Sequence, residues 1–126
     1  MGDSLDRLHQ AVLAARNSDP ATSRTARLLH AGRAKVAKKL GEEAVEVVID
    51  AINGDRSAVV RESADLLYNL VVLWAAAGIR PDDVWKEMDR RERLFGIAEK
   101  LLKENAEADP RRKVVTLESR RVRKRR

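Results

Sequence analysis

Apolar positions along the chain recur mostly at helical spacing. Leu5, Leu8, Val12 and Ala15 line one face of a first helix, and Asn17-Ser18-Asp19-Pro20 reads as the turn that ends it. Residues 23–31 predict a short helix with Leu28 and Leu29 inward, followed by Gly32, where a left-handed backbone is favoured. Residues 33–52 predict the first long helix. Its Val36, Leu40, Ala44, Val47 and Ala51 follow at steps of four, four, three and four. Val45, Val48, Ile49 and Ile52 widen that stripe, so the second half is apolar nearly all round. After the turn Asn53-Gly54-Asp55, residues 57–77 predict a second long helix closed by Gly78, apolar from Leu66 to Ala77 except at Asn69. Pro81 suits the first turn of a further helix, with Asp82 and Asp83 set against its N-terminal dipole and Val84, Trp85 and Met88 on its buried face. After Gly96 a last amphipathic piece is expected through Leu101 and Leu102. Only residues 113–117 alternate as a strand would, and they are isolated. The predicted class is an all-α helical bundle. Two helices this apolar in so short a chain predict a homo-oligomer that buries the surplus face, because a monomer would leave much of residues 66–77 wet.

Charge divides the chain. Of its 126 residues, 26 are Lys or Arg and 20 are Asp or Glu, a net charge of +6. Residues 111–126 alone carry +8, leaving −2 on residues 1–110. The expected organisation is therefore an all-α domain over residues 1–108 and a basic C-terminal tail over residues 109–126. The tail reads as a solubilising segment, and any contact with a nucleic-acid backbone would be non-specific and salt-sensitive. The absence of Cys excludes disulfides, thiolate metal sites and a thiol nucleophile. The longest apolar runs are too short or interrupted to cross a bilayer. Met1-Gly2-Asp3-Ser4 does not open a secretory signal, so a soluble cytoplasmic protein is expected.

Candidate chemistry lies in acids placed among aliphatics. Glu43 and Glu46 stand three apart on one predicted helix, and Glu62 and Asp65 three apart on the next. Three residues rise about 4.5 Å and return side chains to neighbouring positions. The turn at residues 53–55 makes the helices antiparallel. Glu46 lies seven residues before Asn53 and Glu62 seven after Asp55, so the pairs can meet. Four converging carboxylates repel unless a cation joins them. Oxygen-only donors favour a hard divalent ion, and Mg²⁺ is the usual one where phosphates complete its shell. Metal-assisted cleavage of a phosphoanhydride needs such a site. The plainer alternative is a solvated helix face with pairs such as Lys39–Glu43. Two ExxE/ExxD pairs on consecutive helices, flanked by Val47, Val48, Leu66 and Leu67, favour the site. Spacing alone goes no further than a divalent-cation, phosphate-handling helical site.

The string Ser23-x-Thr25-x-x-Leu28, then Gly32-x-x-Lys35-Val36-x-x-Lys39-Leu40-Gly41-Glu42-Glu43-x-x-Glu46, then Asn53-Gly54-Asp55 and Glu62-x-x-Asp65-Leu66-Leu67-Tyr68, resembles the phosphoribosyl-ATP pyrophosphatase family of histidine biosynthesis. The wider group is the all-α nucleotide pyrophosphohydrolase (MazG-like) superfamily, marked by EExxE and ExxD. The resemblance covers a little over half of the chain. It implies a homodimeric helical bundle and Mg²⁺-dependent hydrolysis of the α–β phosphoanhydride of phosphoribosyl-ATP, giving phosphoribosyl-AMP and pyrophosphate. Carried over, Glu43, Glu46, Glu62 and Asp65 are the implied metal ligands. Glu42 is implied as an acid behind them or a group that orients water. Lys35 and Lys39 resemble the lysines that face phosphates, although Lys39 fits an i,i+4 pair with Glu43 equally well. Ser23 and Thr25 are candidate ligand-binding hydroxyls, and helix capping explains them as well. The chain carries Asn69 where members commonly have His, and Arg24 where they have an aromatic. Asn69 offers the ligand a neutral amide in place of a titratable group.

Two other functions compete. Related pyrophosphohydrolases acting on ordinary or damaged nucleoside triphosphates would keep the same acids. A non-catalytic paralogue would bind nucleotide or nucleic acid through the bundle and the tail. His9 and His30 read as surface residues, and Tyr68, Trp74 and Trp85 as packing residues. Arg90, Arg91 and Arg93 read as a solvated face. No strand–glycine–helix arrangement of a phosphate-binding loop is present.

Overall fold

A computed structural model describes residues 2–108. Five helices follow in order: α1 (Gly2–Ala15), α2 (Arg24–Ala31), α3 (Arg33–Ile52), α4 (Arg56–Ala77) and α5 (Pro81–Ala108), with no strand among the described residues. The all-α expectation holds. The strand-like alternation at residues 113–117 and the basic tail lie outside the described residues.

Short polar residues set the helix ends. Ser23 caps α2, its hydroxyl accepting from the Ala26 N–H at 3.1 Å. Asp55 caps α4 by accepting from the Ala58 N–H at 3.0 Å, so this acid does structural work that the turn motif alone did not reveal. Gly32 ends α2 and opens α3 at φ 98° and ψ 163°, a conformation that requires glycine but lies outside the left-handed helical region. Gly78 does adopt that region (φ 73°, ψ 25°). The Ile79 N–H reaches back to the Trp74 carbonyl at 2.8 Å, closing α4.

The short turn at residues 53–55 folds α3 and α4 into an antiparallel hairpin, the most extensive helix pairing in the chain. Helix α1 packs on α4, and α2 packs on both α3 and α4. Val12, Val36, Val71, Val72, Trp74 and Ala75 form the buried centre, with Leu5, Leu8, Leu28, Tyr68 and Val84 against it. Arg16 fixes the end of α1 to the end of α4, donating to the Ala75 carbonyl at 2.7 Å. The packing divides after Val84, and α5 from Trp85 onward is a separate unit. There Glu87 holds both Arg90 (2.6 and 2.8 Å) and Arg91 (3.1 Å).

Several expectations are corrected. Helix α5 runs through Gly96 without a break. Nothing next to Gly96 offers the backbone an alternative: no proline or capping side chain follows, and a helical glycine by itself costs only about 1 kcal/mol. His9 is buried, because it joins Leu5 and Val12 on a stripe wider than the leucine spacing suggested. Met88, assigned to a buried face, is exposed. The surplus apolar surface is also displaced. Val71, Val72, Trp74 and Ala75 of α4 are buried within the single chain, whereas Val45, Val48, Ile49 and Ile52 of α3 remain exposed. The reason is that α1 and α2 both lie against the second half of α4 and leave the turn end of the hairpin bare.

Candidate active site

The hairpin decides which acids meet. Glu43 lies ten residues before Asn53 and Asp65 ten after Asp55, so they stand at one level of the antiparallel pair, with Glu46 and Glu62 one turn nearer the bend. Carboxyl oxygens of Glu43, Glu62 and Asp65 all lie within 4.8 Å of one another. Glu46 reaches the Glu62 carboxyl from outside that trio. Glu43 is buried, Glu62 and its helix neighbour Ser63 are partly covered, and Glu42, Glu46 and Asp65 are exposed.

This crowding has an electrostatic consequence. Contact with the Glu46 carboxyl, desolvation and contact with the Glu43 carboxyl together push the Glu62 carboxyl from 4.5 up to about 7. Two carboxyl groups hydrogen-bond only when one carries a proton. When all are ionised, Glu43 Oε2 and Glu62 Oε2 are buried acceptors without a donor. A cation is the group such a donor set lacks, and an all-oxygen set suits a hard divalent one. The residues present therefore fit a metal of that kind.

The surrounding candidates separate by geometry. Lys39 pairs with Glu43, Nζ to Oε1 at 3.4 Å, and Lys35 is exposed two turns before Glu43. The Ser23 hydroxyl is engaged as the cap of α2. The Thr25 hydroxyl meets the Tyr68 hydroxyl at 2.6 Å. Asn69 is buried, its Nδ2 donating to the Asp65 backbone carbonyl at 2.8 Å while its Oδ1 has no partner. The structure thus brings Glu43, Glu46, Glu62 and Asp65 together, places Lys39 on their edge, and turns Asn69 inward against the Asp65 backbone. Sequence reasoning missed the stacking of Arg24 over Tyr68, its guanidinium carbon 6.0 Å from the ring centroid. A separate open cleft of about 600 Å³ lies at the far end of the hairpin. It is lined by Arg16, Asn17, His30, Arg33 and Gly78, among others, with no carboxylate among the described residues that line it.

No described helix is long and apolar enough to cross a membrane. Residues 5–92 match the family model described as phosphoribosyl-ATP pyrophosphohydrolase. The chain is 67% identical to "Phosphoribosyl-ATP pyrophosphatase 2" of Rhodopseudomonas palustris, with both chains covered in full. It is 65% identical to the protein of the same name from Bradyrhizobium diazoefficiens, over 99% of each chain. It is 57% identical to a phosphoribosyl-ATP pyrophosphatase of Azospirillum brasilense, over 76% of this chain and 86% of the relative. With the family model spanning the whole helical hairpin and its flanks, the chain belongs to the phosphoribosyl-ATP pyrophosphohydrolase family.

Proposed function

We propose that this chain hydrolyses the α–β phosphoanhydride of phosphoribosyl-ATP, with water as the nucleophile, to give phosphoribosyl-AMP and pyrophosphate in histidine biosynthesis. The observation that carries this reading is the trio of carboxyl oxygens within 4.8 Å on the α3–α4 hairpin of a chain from this family. Glu43, Glu46, Glu62 and Asp65 would hold Mg²⁺. When bound, the ion offsets the charge of the phosphates and lowers the pKa of water near it.

The chain's own residues supply the rest. Burial of Glu43 and its pairing with Lys39 fix one carboxylate before substrate arrives, so less order is lost on binding. Asn69 holds the Asp65 backbone from one turn further along α4. Glu42, exposed beside Glu43, would orient water, and Lys35 and Lys39 would meet phosphate oxygens. The apolar strip of Val45, Val48, Ile49 and Ile52 supports a homodimer, its cover being a second copy. A cytoplasmic enzyme with a basic tail over residues 109–126 completes the reading.

The test is pyrophosphate release from phosphoribosyl-ATP, ATP and dUTP, with and without Mg²⁺. The expected result is Mg²⁺-dependent turnover with phosphoribosyl-ATP strongly preferred. Equal or faster turnover of the simple triphosphates would replace this substrate with a broader class.

A further inference from the structure

Arg24 is the first residue of α2, and the start of α2 is fixed beside the acidic site. Ser23 caps the helix and the Thr25 hydroxyl meets that of Tyr68 at 2.6 Å. Tyr68 follows Asp65 by three residues, about 4.5 Å along α4 and on a neighbouring strip of its surface. The Arg24 guanidinium carbon stands 6.0 Å from the Tyr68 ring centroid. Attraction to the ring face orients the group without using any of its N–H donors.

Its remaining contacts are informative. Arg24 makes no ion pair or hydrogen bond with another described side chain, although three carboxylates gather one turn from Tyr68. The acids are instead met by Lys39, whose ammonium shares its charge with Glu43. The site thus combines an acidic trio, a lysine paired with one of its acids, and an exposed guanidinium whose planar fork is uncommitted. A fork of this kind matches two oxygens of one phosphate group.

We infer that Arg24 is a phosphate-binding residue of this site, gripping a phosphate group of the substrate beside the carboxylate trio. The inference rests on the proposed function, which brings a multiply phosphorylated ligand to these acids. Two parts of phosphoribosyl-ATP offer the same chemistry: the polyphosphate chain and the phosphate on the second ribose.

Steady-state turnover by the full chain, its Arg24→Ala variant and its Arg24→Lys variant, on phosphoribosyl-ATP and on ATP with Mg²⁺, tests it. Arg24→Ala is expected to raise KM for phosphoribosyl-ATP about ten- to a hundredfold, the effect of losing a charge-assisted hydrogen-bonding pair. The effect on kcat should be much smaller, and Arg24→Lys should recover part of the loss because it keeps charge without the fork. A loss shared with ATP assigns Arg24 to the polyphosphate chain, and a loss confined to phosphoribosyl-ATP assigns it to the ribose phosphate. Either supports the inference. An unchanged KM on a wild-type background active on phosphoribosyl-ATP overturns it. A wild-type chain inactive on that substrate removes the proposed function instead. Calorimetry with inorganic triphosphate and Mg²⁺ then decides Arg24: weaker binding by Arg24→Ala supports the inference, and equal affinities overturn it.

Discussion

Metal binding at the acidic trio should release a proton, and the amount is set by Glu62. Its carboxyl is pushed up to about 7, first by the Glu46 carboxyl it touches, then by desolvation and the Glu43 carboxyl. A group with that pKa is protonated in about nine of ten molecules at pH 6 and about one of ten at pH 8. A carboxylate binds Mg²⁺ only after losing the proton. Calorimetric titration with Mg²⁺ in buffers of different ionisation heat should therefore report release of about 0.9 proton per site at pH 6 and about 0.1 at pH 8. Over the same interval the apparent affinity should rise about tenfold and then level off. Glu62→Gln should abolish the pH dependence of proton release along with most of the affinity.

The same proton governs the metal-free fold. The folded-state pKa of Glu62 lies above its unfolded value, so its contribution to stability is full below about pH 4.5 and is lost as pH rises through about 7. Mg²⁺ should restore the melting temperature at pH 8 far more than at pH 5. Proton release equal at pH 6 and pH 8, or persisting undiminished in Glu62→Gln, would refute the coupling argued from the carboxyl contacts.

Four further outcomes are expected. Glu46→Gln should abolish pyrophosphate release with little change in the thermal melt, because Glu46 is exposed and touches the site only through Glu62. Turnover near wild type would remove it from the ligand set. Glu43→Met should also abolish turnover yet stabilise the metal-free chain by about 1–3 kcal/mol in urea denaturation, since it removes a buried acceptor that has no donor. Asn69→Ala should destabilise the chain by about 1–3 kcal/mol, through loss of the bond to the Asp65 carbonyl and an unfilled volume in the core. The proposed homodimer predicts that Ile49→Asp, in the middle of the exposed strip on α3, shifts sedimentation from dimer to monomer; a dimer unchanged by it would refute that interface.

The hairpin was legible because two independent signals agreed. Apolar steps of three and four defined α3, an apolar run broken only at Asn69 marked α4, and Asn53-Gly54-Asp55 left only an antiparallel return between them. Burial within α4 was less legible. Its apolar run could be read as surplus surface only because sequence spacing does not reveal that α1 and α2 both settle on its second half. His9 shows the same limit on a smaller scale. A histidine next to a leucine stripe is polar by type, and packing of α1 against α4 decides whether that flank is covered. Gly96 shows the reverse, a local signal with nothing tertiary behind it.

The candidate site was legible in part for a related reason: an acid at core spacing conflicts with the stripe it interrupts. Glu43 follows Val36 by seven residues, two helical turns, and so occupies a place where an aliphatic side chain would stabilise the fold more. Its burial, together with the partnerless oxygens on Glu43 and Glu62, means that the metal-free hairpin carries a local cost that a bound cation would relieve. Such a conflict between pattern and residue type can be read in one dimension. The partners that shape the rim cannot. Thr25 meets Tyr68 across forty-three positions, and Arg24 stacks on the same ring only because α2 turns back over α4. Residues that violate a helix's own periodicity are thus visible in the sequence, whereas residues that are ordinary on their own helix acquire a role only from what the fold sets opposite them.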